Sequence, residues 1–304
     1  MKTFITLIGR NIKMFVKDKG LFFVSLITPA ILLVLYATFL ADVYRQSMPD
    51  GLPEKIVNGF VGGEVMSSML AVICVTVSFC SNMVMVQDKI SGAVNDLFVT
   101  PIKKSVLALS YFVATLLITL CICLFAMSLC FVYVGSIGWY LSVGDVFLLI
   151  LDVLLLTTFG TALSSLVNVF INTQGQASAV GTIVSAGYGF FCGAYMPISS
   201  LGDFMQKFVG FLPGTYGTSL VRNHSLNGAL RAIEDFGASS EVVNGIRDSV
   251  DCNLYFFGHQ VSIGAMYAVI ILSIAVFIGI YVLLNYLVNT NRISFKNKVK
   301  RKRR

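Results

Sequence analysis

The sequence predicts an all-α integral membrane protein with six transmembrane helices, an N-terminal amphipathic interfacial helix and an external re-entrant helical region between helices 5 and 6. Three observations carry this fold class. Of 304 residues, 56% are hydrophobic and only 12% are charged, about half the charged share of a soluble chain, which excludes a water-soluble domain of this length. The apolar residues gather into stretches of about 20 or more, the length that crosses a ~30 Å hydrocarbon core as helix. None of these stretches alternates in the way that the strands of a membrane barrel do.

The six spans fall near residues 21–41, 60–86, 106–134, 145–168, 177–197 and 261–288. They divide the chain into a cytoplasmic amphipathic helix (1–20), a membrane domain (21–288) with an external helical loop (198–260), and a basic tail (289–304). The 22 Lys and Arg against 15 Asp and Glu give a net charge of +7. An even number of spans puts both termini on one side, and that side holds 16 of the 22 basic residues. By the positive-inside rule both termini are cytoplasmic, in a plasma membrane. The charge therefore reads as orientation and implies no nucleic-acid partner. The tail ends KVKRKRR and reads as an electrostatic anchor of span 6, each basic residue near an anionic leaflet contributing about 1 kcal/mol.

Before span 1, Phe4, Ile8, Ile12 and Phe15 recur at helical spacing, while Arg10, Lys13 and Lys17 mark another face. This pattern suits a helix lying in the cytoplasmic interface. After span 2, residues 87–105 read QDKISGAVNDLFVTPIKKS. Their middle forms a short helix with Val94, Leu97 and Phe98 on one face, ended before Pro101. An exposed apolar triplet here is either a docking knob for a cytoplasmic protein or a patch that folds back onto the membrane surface.

Span 4 carries Asp145 at its outer end and Asp152 about 10 Å further along the helix; Glu64 lies near the outer end of span 2. Asp152 either lines a polar cleft or makes an interhelical hydrogen bond. In span 5, Gly181, Ser185, Gly189 and Gly193 repeat every four residues, a small-residue stripe for close packing against another helix in the same chain or in a second copy. The loop 198–260 opens with a Ser200/Asp203 capping-box spacing and a short apolar helix up to Pro213. That helix is too short to span and too apolar for water, so a re-entrant or interfacial position follows, with Pro213 and Gly214 making the turn. Two amphipathic patterns in 225–258 predict a small exposed helical cap, and His224 and His259 read as interfacial polar residues. Six of seven cysteines lie in spans, with neither disulfide nor metal spacing.

Catalytic patterns are missing from the sequence. It contains no Gly-Lys pair and hence no G-x-x-x-x-G-K-[ST] phosphate loop, no H-E-x-x-H and no G-x-S-x-G. Asp145 and Asp152 share one helix, unlike the facing carboxylates of an intramembrane aspartyl protease. An enzyme reading is accordingly disfavoured, and the sequence offers no metal or cofactor site of its own.

In three stretches the sequence resembles the ABC-2 type permeases, the membrane subunits of bacterial ATP-driven exporters. One is the amphipathic N-terminal helix running straight into a span. Another is the loop after span 2, where Asp88, Gly92, Leu97, Thr100, Pro101 and Lys103 match the progression around the family's coupling helix. The most specific is the run 193–222, GAYMPISSLGDFMQKFVGFLPGTYGTSLVR, with Gly193, Pro197, Leu201, Pro213, Tyr216 and Arg222 in the family's places. Gly202 stands where a Pro is common, and the region after Arg222 is longer than in compact members. The resemblance implies that two permease copies, or this chain and a paralogue, pair in the lipid bilayer. It also implies that a separate cytoplasmic P-loop ATPase carrying ATP and Mg docks on the helix around Val94, Leu97, Phe98 and Pro101. Export of an amphiphile such as a drug, antimicrobial peptide or lipid is the leading expectation. An ion-coupled secondary transporter using Asp152 and a membrane-embedded immunity or binding protein using 198–260 are the alternatives.

Overall fold

The computed structural model describes residues 2–46, 48, 51–99 and 102–289. The basic tail beyond 289 and Pro101 lie outside the described residues, as does the side chain of Phe98. In chain order the elements are α1 (Lys2–Lys17), α2 (Lys19–Leu35), a π-helical turn (Tyr36–Leu40) and α3 (Ala41–Gln46). Next come α4 (Glu54–Ser81), α5 (Met83–Ser91), α6 (Ala93–Val99), α7 (Lys104–Ile137), α8 (Val143–Phe170) and α9 (Gln174–Phe191). A 3-10 turn (Ile198–Ser200) then leads to α10 (Asp203–Val209), α11 (Pro213–Asp235), α12 (Ser240–Ser249), the strands β1 (Leu254–Phe256) and β2 (His259–Val261), and α13 (Ile263–Asn289).

Among the described residues, five helical stretches are long and apolar enough to cross a membrane: Lys19–Phe39, Glu54–Ser91, Lys104–Ile137, Val143–Phe170 and Ile263–Asn285. They coincide with five of the six expected spans. The other, expected at 177–197, coincides with α9, whose 18 residues are diluted by Gln, Gly, Ser and Thr and fall short of that apolarity. It stops at Phe191, and the chain turns through Gly193 at a φ of +77°.

The bundle is built around α4, which packs on α2, α7, α8, α9 and α11 and is buried along nearly its whole length. A helix covered on all sides has no use for a polar face, and its sequence shows none. Close approach is set by glycines outside the stripe expected on α9. A Cβ at Gly160 of α8 would meet the Cys74 carbonyl oxygen of α4 at 2.8 Å, and one at Gly63 of α4 would meet the Ser225 carbonyl oxygen of α11 at 2.7 Å. Asn82, at the junction of α4 and α5, donates to Ser164 Oγ at 3.1 Å and Ser165 Oγ at 3.0 Å of α8. Gly92 ends α5 in the left-handed conformation at a φ of +83°, the usual glycine helix stop.

The region 198–260 differs most from expectation. Gly202, not Ser200, is the N-cap of α10, and Ser200 Oγ instead donates to the Pro197 carbonyl at 2.6 Å. Pro213 and Gly214 make no turn: they begin the 23-residue helix α11, where a proline is tolerated because the first helical N–H has no partner within the helix. Although α11 is not apolar, most of it is buried. Its polar groups are satisfied by neighbours, such as Ser219 Oγ donating to the Asp251 carbonyl at 2.8 Å and Asn223 Nδ2 to that of Cys252 at 2.7 Å. The expected exposed cap is thus corrected in part. Leu226, Leu230 and Ile233 pack with Val243, Ile246 and Cys252 against Ile56 and Phe60 of α4, leaving Phe236 and Val242 outside. Among the described residues an antiparallel hairpin also interrupts the helices, pairing Leu254 with Val261 and Phe256 with His259. Its two-residue turn, Phe257 and Gly258, has positive φ at both positions (+49° and +84°), the type I′ geometry that matches strand twist.

Candidate coupling surface and buried charge centres

At the C-terminal end of α4–α5, Asp88 collects the groups that hold α1 to the bundle. Arg10 grips it with two hydrogen bonds, Nη1 to Oδ2 at 2.7 Å and Nη2 to Oδ1 at 3.1 Å, and the Tyr111 hydroxyl of α7 donates to the same carboxylate. The hydrogen bonds to Asp88 hold the Arg10 pKa above its ordinary value, against the opposing effect of partial burial. Arg10 also reaches Asn11 Oδ1 at 2.9 Å, and Asn11 reaches Ser110 of α7. The buried line of α1 is Leu7, Asn11 and Phe15, flanked by half-buried Phe4, Ile8 and Ile12. This splits the expected basic face: Arg10 turns inward, while Lys13 and Lys17 are exposed. Asp18 joins the same end, capping α2 through Leu21 N–H and accepting from Gln87 at 3.2 Å.

Lys89 closes the neighbouring helix. Its ammonium donates to the carbonyls of Asn168, Val169 and Ile171 at 3.0, 2.8 and 2.7 Å, the last turn of α8, where unpaired carbonyls and the negative end of the helix dipole favour a cation. Beyond Gly92, α6 does not present a fully exposed apolar face. Val94 and Leu97 are half-buried against the bundle core, whereas Val99 is 88% exposed.

The opposite end of α4 carries a second arginine centre. Arg222 of α11 has its Nε 2.8 Å from Glu64 Oε1 and its Nη1 3.4 Å from Asp251 Oδ2, and donates from Nη2 to the Gly193 carbonyl at 2.9 Å and to Ser68 Oγ at 3.3 Å. The Glu64 contact lies off the N–H axis, making it an ion pair more than a hydrogen bond. Asp251 Oδ2 also accepts from the Ile198 N–H at 2.7 Å. Burial raises the Asp251 pKa above the usual carboxylate value, and the Arg222 charge opposes that rise. One guanidinium thereby joins α4, α11, the turn after α9 and the segment after α12.

Asp152 lies between helices. Its Oδ2 is 2.5 Å from His224 Nδ1 of α11, and its Oδ1 accepts from the Tyr267 hydroxyl of α13 at 2.6 Å, with the His224 and Tyr267 rings stacked at 6.3 Å. Asp145 forms a capping box with Ser142 and accepts from Asn227 at 2.8 Å and Arg231 at 2.9 Å. His224 is therefore a buried interhelical partner rather than an interfacial residue, and Asp145 ties the start of α8 to α11.

The remaining expected residues divide. In the α9 stripe, Gly189 is packed against Tyr195, and Gly193, beyond the helix end, sits against Ile198 and Asp251. Around the Gly181 Cβ position there is open space, and Ser185 is exposed. Pro197 caps the 3-10 turn, Leu201 is half-buried, and Tyr216 donates to the Gly210 carbonyl at 2.6 Å. Sequence reasoning missed Ser68, Lys89, Asp251 and Tyr267. Of these, Tyr267 had a usable signal, a polar tip in a predominantly apolar span.

A polytopic helical membrane domain with charge centres between its helices is the class that this fold defines. More specifically, the sequence profile described as ABC-2 type transporter matches residues 2–224, and the chain belongs to that family. No curated protein matches it. It is the membrane-embedded permease component of an ABC transporter, a component without an ATPase site of its own in a family that works with an ATP-binding cassette partner. The match ends two residues past Arg222, so Asp251 and Tyr267 complete these centres from beyond it.

Proposed function

We propose that this chain is the permease subunit of an exporter that moves an amphiphilic molecule outward, driven by ATP hydrolysis on a separate P-loop subunit. In this reading α9 is the sixth crossing and both termini face the ATPase. Two permease copies, or this chain and a paralogue, complete the pathway in the plasma membrane. The observation that carries the reading is the placement of α1 and α6 at one end of α4–α5. Arg10–Asp88 fastens the first of these helices, and the left-handed Gly92 turn sets the direction of the second.

Closure of the ATPases would push on α6, and α5 would pass that displacement to α8 through Lys89 and Asn82. The push shifts the bundle only if ATP binds the two arrangements with different affinity. Asp152 is already held by His224 and Tyr267, which supports a structural role for it and weakens the ion-coupled alternative. Counted from Asn168, at the end that Lys89 caps, Asp152 lies sixteen residues or about 24 Å along α8, near the far boundary of a ~30 Å core. The helices continue past that level, and the upper parts of α4, α7, α8 and α11 then form the external region with α12.

Purification with the partner ATPase tests the reading. Val99→Asp, at an exposed position of α6, is expected to lower permease-dependent ATP turnover at least fivefold while leaving the thermal stability of the membrane domain unchanged. Full turnover in that variant would refute α6 as the docking element.

A further inference from the structure

On the side of the molecule that holds Arg222, the segment after α12 and the hairpin lean against α10 and the start of α11 and leave a cavity of about 450 Å³. That is the size of a small-molecule site. One wall is aromatic: Phe256 lies 5.3 Å from Phe211 and 4.7 Å from Phe257, ring to ring, and the exposed Tyr255 continues it. Ile198 and Leu254 add aliphatic surface. The charged groups lining the cavity are Asp203, Asp248, Asp251 and Lys207. Asp251 is engaged by Arg222 at 3.4 Å and by the Ile198 N–H, which leaves two carboxylates against one ammonium. Asp248 is held in place by Asn253 Nδ2 at 2.8 Å and the Tyr255 hydroxyl at 3.1 Å.

We propose that this cavity binds a cationic amphiphile, its positive group between Asp203 and Asp248 and its apolar body against the wall formed by Tyr255, Phe256 and Phe257. An aromatic patch alone would suit any apolar surface, including lipid. Two carboxylates in the same concavity select a cation, and aromatic faces reinforce that choice because their quadrupoles attract positive charge. Strand β1 carries Tyr255 and Phe256 and the hairpin turn carries Phe257, while the Asp251–Arg222 contact ties the cavity floor to α4 and α11. Occupancy is thereby linked to the buried arginine centre. As a statement about cargo the proposal rests on the permease reading above; as a statement about binding it stands alone.

The test uses the full chain in lipid nanodiscs without the ATPase and compares tetraphenylphosphonium with tetraphenylborate, two probes of nearly the same shape and opposite charge. Saturable binding is expected for the cation only. The double variant Asp203→Asn/Asp248→Asn should weaken it at least tenfold, and Lys207→Gln, a surface change that leaves the hairpin contacts intact, should tighten it two- to fivefold. Equal saturable binding of both probes, or affinity within twofold of the parent in both variants, overturns the proposal. In a second arm with the partner ATPase added, cation binding that leaves turnover unstimulated would sink the cargo statement and leave the site standing. ATPase turnover that depends on this subunit without saturable cation binding would sink the site and leave the permease reading standing.

Discussion

Two arginine–carboxylate centres sit at opposite ends of α4–α5, and they differ in what water can do for them. Arg222, Glu64 and Asp251 are all but sealed from solvent, with side-chain exposures of 1%, 0% and 6%. Arg10 is 29% exposed over a buried Asp88. The sealed centre joins helices that must stay together, because removing one charge strands the others in a low-dielectric interior. The half-open centre attaches a peripheral helix, and water can take over part of its hydrogen bonding when the contact loosens. Similar chemistry at the two ends thus serves permanence at one and adjustability at the other.

The sharpest way to break this comparison is to remove the sealed cation. Arg222→Met is expected to cost about 3–5 kcal/mol, read as a lower unfolding temperature and reduced yield of folded protein, and adding Glu64→Gln should recover a measurable part of it. A loss as small as that at Arg10 would erase the distinction between the centres. Arg10→Ala should cost about 2 kcal/mol, the scale of lost hydrogen bonds to a charged group. The loss should be confined to α1, so hydrogen exchange ought to rise in Lys2–Lys17 while the protection of α4 holds.

A packing contrast gives a smaller effect. Gly160→Ala forces α8 from α4 and should cost about 1–3 kcal/mol, whereas Gly181→Ala meets nothing within 4 Å and should leave the unfolding temperature unchanged or slightly raised, alanine being the better helix former. The least change is expected from salt. Raising ionic strength to 1 M, where the screening length is about 3 Å, should speed exchange in α1 modestly and leave the Arg222 centre untouched.

The parts legible in the sequence are those fixed locally. The spans of α2, α4, α7, α8 and α13 follow from continuous apolarity, and the docking side of α1 follows, to within one residue, from its periodicity. The charge centres could not be read because their members are brought together by packing between distant segments. Asp152, His224 and Tyr267 come from three helices, and none carries a local cue to the others beyond being polar where polarity is costly. The polar α11 reads as a water-facing segment, and it is buried only because Glu64, Asp251 and the carbonyls after α12 answer its side chains. The stripe on α9 shows a different limit: spacing tells which residues share a face, but not that Tyr195 of the same chain covers Gly189 while Gly181 stays open.

The Arg222 centre also bears on how the molecule is made. Its hydrogen bond to Ser68 spans 154 residues of chain, and Glu64 lies one turn earlier still. As the ribosome delivers α4, the carboxyl that will end in the most enclosed position has no counterion, and three long helices, α7, α8 and α9, must emerge before α11 brings Arg222. Until then Glu64 waits toward the outer end of α4 without the cation that will cover it. The enclosure of that acid is therefore completed only once α11 has been made, because its counterion comes from no earlier element.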